Sequence, residues 1–261
     1  MNGQLISYNR MKTLDKQFSS LEVKNYENIK LDVYTKFNLK PVNNIYLILN
    51  KINKNKHLKG NYVECGTFKG TTLLSAAQFC KQNNINTKLV GIDTFGGFPY
   101  KGLHNPLDLP DHFIQLFKSQ KITQDHFEKA KIRTNNFTSL THLKSEYFLD
   151  TEQVFSNCSK FENIELVKGT FEEITPTYNE PIAVLHLDGD LYDSYLTCLN
   201  NLYDNVLPGG CIIFDEYYSH KYPGARVAVD KFFLEKENEG CFEKYITSEG
   251  HERWCFKKIF K

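Results

Sequence analysis

Tyr62-Val63-Glu64-Cys65-Gly66-Thr67-Phe68-Lys69-Gly70-Thr71 is a short apolar run that ends in an acid and a glycine and opens onto a helical stretch. From Gly70 to Lys81, Leu73, Leu74, Ala77 and Cys80 share one helical face. Leu89-Val90-Gly91-Ile92-Asp93 follows as a second apolar run. A strand, a helix and a further strand of this kind form a parallel crossover unit. The alternation then recurs. Ile164-Glu165-Leu166-Val167 is a third strand candidate and Ala183-Val184-Leu185-His186-Leu187-Asp188 a fourth, followed by a helical pattern from Leu191 to Tyr203. Cys211-Ile212-Ile213-Phe214-Asp215 is a fifth and precedes a helix from about Pro223 to Glu237. Short, continuous apolar strands between helices indicate an α/β domain with a mostly parallel sheet and helices on both faces. The end differs: Phe242 to Thr247, then Ser248-Glu249-Gly250, then Glu252 to Lys257 reads as an antiparallel hairpin.

The chain has 261 residues and a net charge of +1, from 32 Lys+Arg against 31 Asp+Glu. That balance argues against nucleic acid or an anionic membrane as the main partner, because both reward a basic excess. The longest apolar runs, such as Ile45 to Leu49, fall far short of the roughly 20 residues of a bilayer span. Met1-Asn2-Gly3-Gln4 begins no secretory signal, so the expected location is the cytoplasm. Seven scattered cysteines without a C-x-x-C pair fit that compartment and read as small buried hydrophobes.

Residues 1–60 read as an N-terminal helical extension, with one clear helix from Ile45 to Ile52, and residues 61–261 as a single domain. About 70 residues separate the second and third strands, a long gap for a compact α/β unit. The excursion, at about 97–149, is expected to be a lid or substrate insert; a helical pair decorating the sheet edge is the plainer alternative.

Ligands of open α/β sheets bind outside the carboxyl ends of the strands. Four of the five strand ends here carry acids: Glu64, Asp93, Asp188 with Asp190, and Asp215 with Glu216. The turn from Glu64 to Thr71 has neither the dinucleotide G-x-G-x-x-G nor a G-K-[ST] phosphate loop. Gly66 and Gly70 let backbone approach a ligand, and the helix that follows favours an anionic group such as a carboxylate. Asp93 is placed to accept hydrogen bonds from two ribose hydroxyls. S-adenosylmethionine suits that pattern, since it offers a carboxylate and an adenosine but no pyrophosphate. Glu64, Gly66, Thr67, Gly70, Thr71 and Asp93 are the cofactor-side candidates. On neighbouring strands, Asp188, Asp215 and Glu216 are within reach of one hard cation, and all-oxygen ligation selects Mg²⁺ or a similar ion. Asp190 is then left to act as a general base, which suits methyl transfer to a hydroxyl.

These residues resemble the macrocin O-methyltransferase (TylF/MycF-like) family, metal-dependent enzymes that methylate sugar hydroxyls of natural products. The matching pieces are Val63 to Gly70, Asp93-Thr94-Phe95-Gly96-Gly97-Phe98-Pro99, Val167-Lys168-Gly169-Thr170-Phe171-Glu172-Glu173, and Leu185 to Ser194. Pro208-Gly209-Gly210, Asp215-Glu216-Tyr217 and Pro223 to Asp230 complete the set, in family order across roughly residues 60 to 235. The resemblance implies the class I S-adenosylmethionine methyltransferase fold, a Rossmann-like, mostly parallel seven-stranded sheet with a C-terminal antiparallel hairpin. It puts Asp188, Asp215 and Glu216 on the metal ligands and Asp190 on the proposed base. Glu64, Gly66 and Asp93 fall on the cofactor site, which Asp188 also borders, with Gly169-Thr170 beside the adenine. The family usually has Asp-Asp where this chain has Asp215-Glu216, and the segment from Gly97 to Leu149 matches only loosely. The implied acceptor is a sugar on a small molecule or glycan, and a homo-oligomer is the expected assembly.

His220, in the loop after Glu216, is a rival base because histidine titrates near working pH. His186 reads as a core histidine. Arg226 reads equally as a binder of an acidic acceptor or a solvated helix charge, and Lys51 to Lys59 as a solvated helix face and loop. Two other functions stay open: a metal-dependent hydrolase or phosphotransferase using the same acids, and a non-catalytic ligand-binding protein.

Overall fold

A computed structural model of the chain describes residues 31–42, 44–98, 105–138, 149–236, 238–246 and 252–259. The elements run α1 (Val33–Lys36), α2 (Ile45–Asn55), β1 (Asn61–Cys65), α3 (Thr71–Gln82), β2 (Leu89–Asp93), α4 (His112–Lys118), α5 (Gln124–Arg133) and α6 (Thr151–Cys158). They continue with β3 (Ile164–Lys168), α7 (Phe171–Ile174), β4 (Ile182–Leu187), α8 (Tyr192–Leu202), β5 (Val206–Phe214), α9 (Pro223–Phe232), β6 (Gly240–Ile246) and β7 (Glu252–Lys258). Of the expected N-terminal extension, residues 1–30 lie outside the described residues; so do 99–104 and 139–148 of the insert and the 247–251 tip of the hairpin.

The seven strands form one sheet in the order β3-β2-β1-β4-β5-β7-β6. β1 to β5 are parallel; β7 runs antiparallel to β5, and β6 to β7. Strand order reverses between β1 and β4, the switch point at which such sheets open a crevice for ligands.

Alternation along the strands builds two apolar layers. Val63, Leu185, Leu187, Ile212 and Phe214 pack with Tyr195 and Leu199 of α8 and Ala225, Ala228 and Val229 of α9. Tyr62, Val184, Cys211, Ile213 and Cys255 face the other way, onto Leu47, Ile48 and Ile52 of α2 and Leu73, Ala76 and Phe79 of α3. All six residues of β4 are buried, as expected of a central strand covered on both faces.

Three details differ from the sequence reading. α9 ends at Phe232, because Phe233 turns inward to pack 4.3 Å, ring to ring, from Phe256. Lys51 is not a solvated charge: α2 lies against the terminal hairpin, where the ammonium pairs with Glu243 and sits 4.8 Å over the Tyr245 ring. Arg226 is neither a solvated charge nor open to an acceptor; it is 4% exposed, with its guanidinium 4.5 Å from the centre of the Tyr217 ring. The cysteines are all free, and every one but the half-buried Cys241 is buried.

Candidate active site

The turn after β1 closes over the switch point. Gly66 N–H donates to Ile92 O at 2.9 Å, and Asp188 N–H donates to Cys65 O at 2.9 Å, so three strand ends are tied together. Gly66 has φ +98°, and a Cβ there would stand 1.9 Å from Asp188 O; only glycine lets the two turns meet. Gly70, with φ +72°, is the N-cap of α3, and its N–H donates to Thr67 O. Thr71 is the first residue of that helix. Thr67 is buried, and its hydroxyl finds no hydrogen-bond partner among the described residues.

Above this junction lies a cleft of about 260 Å³ lined by Gly66, Phe68, Asp93, Phe98, Phe171, Asp188, Asp190 and Ser194, among others. Asp93 at its wall already accepts Phe68 N–H at 2.8 Å on Oδ2 and Phe95 N–H at 2.7 Å on Oδ1. Those bonds fix the carboxylate; Oδ1 also lies 3.5 Å from Thr94 Oγ1, while Oδ2 keeps a lone pair for a ligand. Gly169 and Thr170 are not among the lining residues; the Thr170 hydroxyl is used in a capping box with Glu173, and Phe171 forms the wall. Glu64 is buried beneath the cleft rather than in it, at 1% exposure.

Beside the cleft, ligand oxygens of Asp188, Asp215 and Glu216 lie within 4.8 Å of one another. β4 and β5 put them there through the register that sets Leu187 opposite Phe214. Burial and then the Asp215 charge push the Asp188 carboxyl up to about 7, against the pull of His186. Burial and the Asp188 and Asp215 charges push Glu216 well above its ordinary range. Asp215 goes the other way. Burial would raise it, but the Arg253 guanidinium and His186 outweigh that and hold it at about 2. Three carboxylates so close repel one another, a repulsion that either protonation or a bound cation relieves, and an all-oxygen set is the kind that holds a hard divalent ion.

Each acid is held by a specific partner. The Tyr195 hydroxyl lies 2.6 Å from Glu216 Oε2 and 2.7 Å from Leu187 O, and it accepts Glu216 N–H at 3.1 Å. Arg253 Nε is 3.5 Å from Asp215 Oδ1, and Asn44 Nδ2 donates to the same oxygen. His186 does more than fill the core: Nδ1 is 3.3 Å from Glu64 Oε1 and 3.0 Å from Tyr62 Oη, and Nε2 is 3.9 Å from Asp215 Oδ1. Burial would lower its pKa, but the Asp215 and Glu64 carboxylates prevail and raise it to about 10.

Asp190 sits in the next turn with φ +62°, half-buried in the cleft wall. Burial and the Asp188 charge push its carboxyl well up, opposed by the Lys221 ammonium. His220 does not line the cleft; its ring packs edge-on to His126 at 5.0 Å and to Tyr218 at 5.4 Å. His126 belongs to the insert and is within hydrogen-bond distance of the loop after β5, with Nε2 2.8 Å from Ser219 O. Burial and the Arg226 charge hold its pKa down at about 3, despite the Ser219 carbonyl. The other end of the insert brings Asp108, whose carboxyl burial pushes up to about 7 against the Tyr192 amide.

Sequence reasoning did not single out Asn44, Asp108, His126, Phe171, Tyr195, Lys221 or Arg253. Only Tyr195 and Phe171 carried a signal, the first from its inner-face position on a periodic helix and the second from its place after a capping threonine.

Residues 132–242 match the model of the macrocin-O-methyltransferase (TylF) family. The demethyldecarbamoylnovobiocin O-methyltransferase of Streptomyces niveus is 24% identical over 203 residues, 77% of this chain and 68% of that protein. The mycinamicin III 3''-O-methyltransferase of Micromonospora griseorubida is 25% identical over 177 residues, 66% of this chain and 60% of its own length. Among solved structures, the O-methyltransferase NovP superposes with a TM-score of 0.59 at 18% identity, covering 98% of each chain. A calicheamicin methyltransferase superposes with a TM-score of 0.51 at 17% identity, covering 96% of this chain and 91% of that one. These two share the fold. Over residues 132–242 the chain is thus similar to the macrocin-O-methyltransferase (TylF) family, and it shares the fold of the solved O-methyltransferase NovP.

Proposed function

We propose that this protein is an S-adenosylmethionine- and Mg²⁺-dependent O-methyltransferase that acts in the cytoplasm on a sugar hydroxyl of a natural product, nucleotide sugar or surface glycan. One observation carries the reading: the oxygens of Asp188, Asp215 and Glu216 gather within 4.8 Å at the edge of a cleft that Gly66, Asp93, Asp188 and Asp190 also line. A methyl-donor site and a cation site thus share a wall. The similarity to novobiocin and mycinamicin O-methyltransferases supports a sugar-bearing acceptor. Among the described residues no helix is long and apolar enough to cross a membrane, and the free thiols suit a reducing compartment.

In this reading Glu64, Gly66, Thr67, Gly70, Thr71, Asp93, Gly169, Thr170 and Asp188 form the methyl-donor site. Asp93 orients the ribose, and the turn at Gly66 to Thr71 receives the amino-acid end. Gly169 and Thr170 contribute by setting the turn that presents the Phe171 wall, since their amides are already used on Asp93 O and Glu173 Oε2. Asp188, Asp215 and Glu216 hold the cation, which when bound lowers the pKa of an adjacent hydroxyl. Asp190 accepts the acceptor's proton at its carboxylate as the hydroxyl oxygen takes the methyl group, the methyl–sulfur bond breaking to leave S-adenosylhomocysteine. His220 ranks behind it, since its ring is packed among His126 and Tyr218. A homo-oligomer belongs to the same proposal, and light scattering measures it directly.

The test combines binding and turnover. S-adenosylhomocysteine should raise the melting temperature where nucleoside triphosphates do not; the reverse pattern would point to a phosphotransferase or hydrolase. Asp190→Asn should keep S-adenosylhomocysteine binding and lose roughly 100- to 10,000-fold in turnover. Full activity in that variant would remove Asp190 from the reaction. Chelation by EDTA should suppress methyl transfer and added Mg²⁺ restore it; activity indifferent to EDTA would remove the cation.

A further inference from the structure

Helix α8 leaves the site directly from the turn that carries Asp190, yet it has no cap of its own. Its N-cap is Leu191, an apolar residue whose side chain makes no capping bond. The turn is also tight: Asp190 has φ +62°, and Leu191 N–H donates to Gly189 O at 2.6 Å. A non-glycine residue in that left-handed region costs about 1–2 kcal/mol, so something outside the turn must hold it. Asp108 does so from 84 residues away. It is fully buried, and its Oδ1 accepts Tyr192 N–H, the first amide of α8, at 2.8 Å. The same oxygen approaches the first turn of α9, where a Cβ on Gly224 would stand only 2.0 Å from it. One carboxylate from the insert therefore lies at the amino-terminal ends of both helices that flank the site, where the helix dipoles favour negative charge. Asp108 is itself fixed, by the turn Pro106–Asp108 that Asn105 caps on Leu107 N–H at 3.0 Å.

We propose that Asp108 is a positioning residue: by capping α8 from the insert, it fixes the backbone of the Asp188–Tyr192 turn and so aims Asp190 into the cleft. The inference rests on the reading of Asp190 as the base. Without Asp108 the buried Tyr192 amide loses its acceptor, and the turn relaxes toward an ordinary conformation. The insert is then part of the catalytic frame as well as a cover for it.

The experiment compares Asp108→Ala and Asp108→Asn with wild type in full-length protein. It reads kcat for methyl transfer to a sugar acceptor whose hydroxyls are free, the Kd of S-adenosylhomocysteine, and hydrogen exchange of the peptide spanning 188–195. Asp108→Ala should lower kcat at least about tenfold while Kd stays within about twofold, because misplacement costs turnover more than cofactor affinity. Exchange across 188–195 should accelerate. Asp108→Asn keeps an acceptor oxygen and should restore exchange protection and bring kcat to within about threefold of wild type, since asparagine caps as well as aspartate. Three results would overturn the inference: unchanged exchange and kcat in Asp108→Ala, an Asn variant as impaired as the Ala variant, or a Kd that weakens in step with kcat. If wild type transfers no methyl group, the proposed function fails, and the exchange readout alone decides whether Asp108 holds the turn.

Discussion

Glu216 is the longest of the three clustered acids, and the Tyr195 hydroxyl is what keeps it in line, 2.6 Å from Oε2. Removing that hydroxyl should leave the fold intact, since the ring stays buried, while the carboxylate gains freedom it must lose again on binding a cation. Tyr195→Phe is thus expected to weaken Mg²⁺ affinity by about 1–2 kcal/mol, roughly 5- to 30-fold by calorimetry. Unchanged affinity would show that Glu216 needs no such support. The acids themselves were legible in sequence, because each ends an apolar run and strand ends converge at one rim. Their partners were not. Asn44 and Arg253 reach Asp215 from opposite ends of the chain, and nothing in local periodicity couples positions 44, 215 and 253. His186 shows the same limit: its place in a buried strand was plain, but its contacts with Glu64 and Asp215 follow from the pairing of three strands.

The turn between β1 and α3 is an element with little tolerance. Gly66→Ala would force a Cβ to 1.9 Å from Asp188 O in a left-handed conformation. Strain and clash together should cost at least about 2 kcal/mol and abolish the thermal shift from S-adenosylhomocysteine; a normal melting curve with a normal shift would contradict the geometry. The insert makes a different prediction. His126 is buried with its pKa held at about 3, against an ordinary 6.5, by burial and Arg226. A histidine with a depressed folded pKa contributes stability that is present above about 6.5 and is lost as pH falls toward 3. His126→Gln should therefore flatten the acid limb of a stability–pH curve between those values, relative to wild type, and an identical limb would sink the assignment. The helical pieces of the insert were visible as amphipathic patches. Where they dock was not, because docking uses single side chains, Asp108 and His126, that carry no repeat.

Across the molecule, apolar alternation determines most of what positions the site. Parallel strands and a terminal hairpin follow from run lengths and spacing; the reversal of strand order after β3 is seen in the structure, and that switch point places the Gly66 turn against Asp188. Charge works at the same level. A chain with 32 basic and 31 acidic residues is nearly neutral on average, yet it draws Asp93, Asp188, Asp190, Asp215 and Glu216 to one rim. Such a rim suits a cation and a hydroxyl-rich cofactor. Calorimetric titration of S-adenosylhomocysteine, with Mg²⁺ present, into wild type and Asp93→Ala tests that account most directly. It predicts one site per chain in wild type and affinity at least about tenfold weaker in Asp93→Ala, where the charged hydrogen-bond acceptor is gone. No binding to wild type, or equal affinity in both proteins, would contradict it.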